Sequence, residues 1–289
     1  MGTTFYLDAP SLVYRAFFSL PATITGSDGR PVNAVRGFME MTTRLIIDRR
    51  PDEIVAVFDA DYRPAFRVEA YPGYKAERPE DPPELPAQFE VIAEVLDAVG
   101  IPRAEADGFE ADDALATLVK DASPETAAVV VSGDRDMLAL VRDTSVRVLF
   151  PVRGTKEMKE FDPATVEASY GVTPELYPAF ATLRGDPSDG LPGIAGIGPK
   201  RAAALLDSYG SIDGIFEHLD DLPPRQQAAF RDSVDYLKAA KICVRLVDDA
   251  DVRIIGGGRL DAARMDELSE LYNLGSSGAR LMQALRAER

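Results

Sequence analysis

Nine carboxylates recur in this chain, four of them where apolar runs end. Glu110, Asp112 and Asp113 fall within four positions of the stretch Gly108-Phe109-Glu110-Ala111-Asp112-Asp113-Ala114-Leu115-Ala116. Asp8 closes the apolar run Thr3-Thr4-Phe5-Tyr6-Leu7, and Asp59 closes Glu53-Ile54-Val55-Ala56-Val57-Phe58. Asp134 and Asp136 follow the apolar run over 127–131, and Asp186 and Asp189 share the loop at 185–192. An acidic first helical turn is ordinary by itself, because the helix dipole favours it. The repetition is the signal: carboxylates at the ends of buried strands converge at the carboxyl edge of a parallel sheet. So many negative charges repel one another unless cations sit between them. Oxygen donors without His or Cys select hard ions, Mg²⁺ or Mn²⁺. Two such ions about 4 Å apart can activate a water and stabilise the leaving oxygen of a phosphate ester.

The elements that must position these groups alternate. Strands are predicted over 3–7, 53–58, 127–131 and 146–150, with further extended stretches at 156–161 and 252–255. Helices are predicted from Ser11, from Asn33 as a side-chain cap, over 85–99 with Gly100 as the stop, from Glu110, and near Met137. This is the rhythm of an α/β fold with a central, mostly parallel, doubly wound sheet flanked by helices. From Asp162 onward the chain reads as mostly helical, which divides it into a core over 1–170 and a helical region over 171–289.

Two segments carry positive charge. Over 61–86, Arg63, Arg67, Lys75 and Arg78 are interleaved with Phe66, Tyr71 and Tyr74, and prolines recur at 64, 72, 79, 82, 83 and 86. So many prolines forbid one long helix and predict an irregular, mobile excursion. It is either a solvated insertion or a channel for single-stranded nucleic acid, where charge meets phosphate and rings stack on bases. The second segment is Gly193-Ile194-Ala195-Gly196-Ile197-Gly198-Pro199-Lys200-Arg201. Its glycine and lysine spacing is wrong for a phosphate-binding P-loop or a dinucleotide fingerprint. It fits the turn of a helix-hairpin-helix over about 190–208. Gly196 and Gly198 permit the tight turn, and Pro199 opens a helix whose free N–H groups face a phosphate beside Lys200 and Arg201. Such a device grips backbone without reading bases, so it predicts non-specific duplex binding.

Composition sets the bounds. The chain has 289 residues, one cysteine, one histidine and a net charge of −16. A lone Cys243 excludes an internal disulfide framework and a cysteine-based zinc site, and it reads as a core residue in a reducing compartment. A lone His218 leaves Ser-His-Asp chemistry without material. No stretch is apolar enough for a membrane span and the N-terminus lacks a signal-peptide layout, so a cytoplasmic enzyme is expected. The acidic balance argues against nucleic acid only if charge is spread evenly, because phosphate responds to the local field.

Taken together, these pieces resemble the 5′-nuclease (flap endonuclease) family, in the bacterial form that also supplies the N-terminal domain of DNA polymerase I. The matching residues are Leu7-Asp8, Val57-Phe58-Asp59-Ala60, Phe66-Arg67 through Tyr74-Lys75, Gly108 through Asp113, Gly133-Asp134-Arg135-Asp136, and Gly185-Asp186-Pro187-Ser188-Asp189 with the hairpin after it. They keep the family's order over nearly the whole chain. No polymerase or proofreading segment follows, so a free-standing, monomeric, bacterial member is expected.

The resemblance implies a PIN-like nuclease core and a set of roles. Asp8, Asp59, Glu110 and Asp112 would surround one ion, and Asp112, Asp134, Asp136 and Asp189 a second. Asp113 and Asp186 would act nearby or through water. Lys75 and Arg67 would stabilise the scissile phosphate, with Asp112 the ligand the chemistry can least do without. Arg63, Tyr74, Arg78, Gly196, Gly198, Lys200 and Arg201 would contact DNA. A third metal ion, a K⁺ ion at the hairpin and RNA–DNA hybrids are compatible additions. Arg135 stands where a Lys is common and Gly190 where an Asn is common. The implied activity is structure-specific 5′–3′ exonuclease and flap endonuclease cleavage of DNA in replication and repair, leaving 5′-phosphate and 3′-hydroxyl ends. A ribonuclease with a similar acidic sheet would lack the arch and hairpin. A DNA-binding scaffold would not need the full carboxylate set, and a small-molecule phosphatase would not need the hairpin.

Overall fold

The computed structural model describes residues 2–153 and 157–287. In chain order the N-terminal part runs β1 (Gly2–Asp8), α1 (Ala9–Ser19), α2 (Asn33–Arg49), β2 (Glu53–Val57), α3 (Ala65–Ala70), α4 (Leu85–Val99), β3 (Arg103–Ala106), α5 (Ala111–Val119), β4 (Thr126–Val131), β5 (Val146–Arg153) and β6 (Glu157–Phe161). It continues through α6 (Pro163–Tyr170), α7 (Tyr177–Arg184), α8 (Pro199–Tyr209), α9 (Ile212–Glu217), α10 (Pro224–Asp232), α11 (Val234–Val244), β7 (Val252–Ile255), α12 (Ala262–Leu271) and α13 (Ser276–Ala287). The stretch expected over 156–161 is β6, and Lys156 itself lies outside the described residues.

The seven strands form one sheet in the order β6-β5-β4-β1-β2-β3-β7. The five inner strands are parallel, and β6 and β7 pair antiparallel at the two edges. Because β2 and β3 lie on one side of β1 while β4 and β5 lie on the other, the winding reverses between β1 and β4. A crevice opens at such a reversal, outside the carboxyl ends of the strands. Both faces of the sheet are covered, which is why the inner strands are apolar runs rather than alternating ones. Phe5, Leu7 and Val131 face a core built with α1, α2, α4, α12 and α13, whereas Ala128, Val130, Val55 and Val57 face a core built with α5, α7, α8 and α11.

Two local expectations change. Asn33 begins α2 but makes no side-chain cap. Its amide donates to the carbonyls of Phe17 and Leu20, tying down the end of α1, and the Gln88 carbonyl oxygen accepts from Ala34 N–H at 2.7 Å. A buried amide network thus satisfies the helix start in place of a local cap. The division into a core over 1–170 and a helical region over 171–289 is crossed by the last elements. β7 pairs with β3, and α12 and α13 pack on α4 and α2. The apolar faces of those helices have nowhere else to be buried. Among the described residues no helix is long and apolar enough to cross a membrane.

Candidate active site

The predicted carboxylates are delivered by the ends of β1, β2 and β4, by the start of α5 and by the loop after α7. Asp8 ends β1 and caps α1, accepting from Ser11 N–H at 3.2 Å and from the Ser132 hydroxyl. Asp59 lies just past β2 and accepts from Ala111 N–H at 2.7 Å, which ties it to the start of α5. Past β4, Asp134 accepts from Asp136 N–H at 2.9 Å, and the Ser132 hydroxyl oxygen accepts from Asp134 N–H at 2.8 Å. Asp186 and Asp189 sit in the loop after α7. Asp186 accepts from Ser188 N–H and faces the Arg184 guanidinium at 3.3 Å, while Asp189 accepts from Arg78 at 2.8 Å.

Asp8, Asp59, Asp112, Asp134 and Asp136 repel one another across the crevice. Burial, followed by the charges of Asp134 and Asp59, pushes the Asp8 carboxyl up to about 7 despite the Ser132 hydrogen bond. Burial and then the Asp134 and Asp8 charges hold Asp112 well above the ordinary carboxylate range. Asp136 is raised the same way by burial and by Asp134, Asp189 and Asp186. Asp136 Oδ1 is also buried with no hydrogen-bond partner among the described residues. A buried charge without partner or counter-ion is costly. Among the described residues no three of these groups form a finished ion cage. The oxygen-only donor set, its mutual repulsion and the orphaned Asp136 oxygen all fit hard divalent cations.

Asp113 and Arg67 belong to a different environment. Arg67 is 1% exposed, and its five N–H donors are all spoken for. Nε donates to the Cys243 carbonyl at 3.0 Å, Nη1 to Glu110 Oε2 and Asp113 Oδ2, both at 2.7 Å, and Nη2 to Asp113 Oδ1 at 2.7 Å and the Arg245 carbonyl at 3.0 Å. Asp113 is fully buried and also accepts from Val247 N–H at 2.8 Å and Glu110 N–H at 3.3 Å, closing a capping box with Glu110. Its oxygens therefore have no capacity left for a metal, and the Arg67 guanidinium has none left for a phosphate. The roles expected from the sequence, a ligand nearby and a phosphate contact, give way to a structural clamp.

Glu110 belongs to the same clamp. Oε2 accepts from Arg67 and from the Tyr74 hydroxyl at 2.8 Å, and Oε1 accepts from the Lys75 ammonium. Tyr74 is 2% exposed, so its ring is not available to stack on a base. Arg63 is half-buried and folds back on its own segment, donating to the carbonyls of Tyr74 and Pro72 at 2.7 and 2.9 Å. The part of the excursion around Arg67 and Lys75 is thus packed onto the carboxyl edge of the sheet, where both find buried carboxylates, while Arg78 stays exposed. Tyr62, 63% exposed, is the ring of that segment left facing outward.

Lys75 is held by backbone as well as by charge. Its φ is +51°, a left-handed conformation that few non-glycine residues adopt. Lys75 N–H donates to the Asp189 carbonyl at 3.0 Å. Beside it, Gly190 has φ +73°, and a Cβ there would lie 2.4 Å from the Gly73 carbonyl oxygen. The turn carrying Lys75 thus leaves no room for a side chain at 190.

The hairpin lies between α7 and α8. Gly196 has φ +78°, Ile194 and Ile197 are buried anchors, and Gly198 is the N-cap of α8 with Pro199 following. Lys200 is exposed, and the Arg201 guanidinium donates to the Gly196 carbonyl at 2.6 Å, bracing the turn. Cys243 is buried in α11 as expected, and His218 is exposed, stacked on Tyr209 beside Asp221.

Sequence reasoning passed over Ser11, Ser132 and Tyr177. Ser11 Oγ accepts from Gly133 N–H at 2.6 Å and Ser132 donates to Asp8, so the two serines lock the β1 and β4 ends together. The Asp8-to-Ser11 spacing of a helix cap was a usable signal. Nothing in the sequence marks Tyr177, whose buried hydroxyl has no partner among the described residues and feels the Asp136 charge.

An acidic crevice thus lies at the winding reversal of a parallel sheet, with a helical hairpin beside it, an arrangement that fits a nuclease. The description "5'-3' exonuclease, N-terminal resolvase-like domain" matches residues 3–171, and "5'-3' exonuclease, C-terminal SAM fold" matches residues 172–267. A "5'-3' exonuclease" of Streptomyces coelicolor is 42% identical, covering 97% of this chain and 99% of the relative. "DNA polymerase I" of Mycobacterium bovis is 46% identical over 75% of this chain and 24% of its own length. The bacteriophage T5 flap endonuclease, solved as a pseudo-enzyme–product complex with DNA and metal ions, has the same fold with a TM-score of 0.65, 18% identity and 98% and 99% of the two chains covered. This chain belongs to the 5′–3′ exonuclease family.

Proposed function

We propose that the chain is a structure-specific 5′-nuclease that hydrolyses DNA phosphodiesters near single-strand/duplex junctions, leaving 5′-phosphate and 3′-hydroxyl ends. The observation that carries this reading is the crevice of mutually repelling carboxylates with an orphaned Asp136 oxygen. Asp8, Asp59 and Asp112 would hold one divalent ion, with Glu110 alongside, and Asp112, Asp134, Asp136 and Asp189 a second. Mg²⁺ or Mn²⁺ held by these carboxylates would supply Lewis-acid activation of water and offset charge developing on the leaving oxygen.

This chain's own residues do the rest. Lys75, poised on Glu110 by a left-handed backbone, is the cation able to turn toward a scissile phosphate. Arg67 and Asp113 fix the start of α5, and with it Asp112. The Gly198 turn, the α8 N-terminus and Lys200 grip duplex backbone. The bacteriophage T5 enzyme's complex with DNA and metal ions supports this partner and this dependence on metal.

The test is cleavage of a flap oligonucleotide, beside a matched RNA, with and without Mg²⁺. Asp112→Asn is expected to remove about 10²–10³ or more of the rate while the protein stays folded. Full activity in that variant would overturn the assignment.

A further inference from the structure

A second concave site lies at the opposite end of α5 from the carboxylates. It is a groove of about 870 Å³ between the end of α5, the turn at Asp136–Leu140, α7, α9 and α11. That volume is in the range of binding pockets, roughly 300–1,000 Å³. Its floor is apolar, formed by Val119, Leu140, Leu176, Phe216, Leu237 and Leu246.

The rim has the opposite sign from the molecule. The chain carries −16 overall and has only seven lysines, yet Lys120, Lys238 and Lys241 all line this groove, with Arg142 and Arg245 beside them. Glu175, Asp213 and Asp248 are the acidic residues there. Lys120 meets Asp248 at 3.6 Å, and Arg142 donates to the carbonyls of Val119 and Lys120. Lys241 and Arg245 are exposed and make no ion pair among the described residues.

The wall at 244–248 has a second face. The carbonyls of Cys243 and Arg245 accept from Arg67, and Val247 N–H donates to Asp113. The Thr117 hydroxyl donates to the Asp113 carbonyl and accepts from Ala250 N–H. The groove and the clamp behind Glu110 therefore share one stretch of backbone.

We propose that this groove docks an acidic amphipathic helical segment of a partner protein. Apolar side chains spaced three and four apart on such a helix fit a hydrophobic floor of this kind. Flanking carboxylates match the basic rim, while the acidic remainder of the surface repels them and so confines the segment to this place. Nucleic acid does not match, because an apolar floor offers a phosphate backbone nothing. The inference stands apart from the cleavage reading, and an inactive nuclease would leave it intact.

The test uses the full chain and a short labelled peptide of Leu and Glu with Leu at every third or fourth position. One control has the same composition scrambled, and the other has every Glu replaced by Lys. Fluorescence anisotropy should show saturable binding of the acidic peptide and at least about tenfold weaker binding of both controls. The double substitution Lys238→Glu with Lys241→Glu should weaken the acidic peptide by at least about tenfold while leaving flap cleavage unchanged. Bound peptide should also slow hydrogen exchange at 244–250. Equal binding of either control, indifference to the charge reversal, or displacement by duplex DNA would overturn the proposal. So would binding of laurate where the peptide fails, which would make the groove a site for a small anionic amphiphile.

Discussion

Asp112 and Asp113 are neighbours in sequence and opposites in physics. Asp113 points into a buried cluster with Arg67, Glu110, Tyr74 and Lys75, where two cations face two carboxylates and every Arg67 donor finds an acceptor. Asp112 points into the crevice, where burial and the charges of Asp134 and Asp8 disfavour its ionised form. The first cluster contributes order, whereas the second concentrates like charge that, under the proposed function, a divalent ion would relieve.

The largest test of this contrast is on the closed side. Arg67→Ala should cost about 3–5 kcal/mol in urea unfolding, because it strands two buried carboxylates. A midpoint unchanged from the parent would mean the clamp is not structural. Gly190→Ala forces a side chain into a left-handed turn against Gly73, with an expected loss of about 1–3 kcal/mol and a drop in cleavage rate as Lys75 shifts. A normal rate with the destabilisation intact would separate Lys75 from the chemistry. Tyr74→Phe deletes one hydrogen bond to Glu110 and should cost about 1 kcal/mol.

Smaller still in stability is Asp136→Asn on the open side. Without metal its melting temperature should equal or exceed the parent's, since a repelled charge is removed, whereas the rise in melting temperature on adding Mg²⁺ should shrink. A large loss of stability in EDTA would show that the two clusters are not distinct. Away from both, Lys200→Ala should leave stability unchanged and reduce the salt slope of duplex binding by about 1. An unchanged slope would take the hairpin out of the interface.

The strand-end aspartates were legible because apolar runs closed by a carboxylate carry their meaning locally. The hairpin was legible too, from Gly196, Gly198 and Pro199. The arch was read less well. Its basic and aromatic residues suggested a mobile solvated insertion or a single-strand channel, yet Arg67 and Tyr74 turn inward and Arg63 folds back on the segment. Composition reports which groups a loop carries and is silent on whether a buried acceptor waits beneath it. The extended stretch at 252–255 was legible as well, but not that it completes the sheet as β7, because the edge it pairs with lies some 150 residues earlier in the chain, at Arg103–Ala106.

The sequence by itself determined the α/β alternation, the oxygen-only donor set and the order of the motifs, since these follow from residue type and short-range period. Only the tertiary structure decided which of two adjacent aspartates faces the crevice and which is locked to an arginine. One peptide unit on a helix turns a side chain through about 100°, and what it then meets comes from segments distant in the chain. For Asp113 those segments are α3 and the backbone after α11, and for Asp112 they are the ends of β1 and β4.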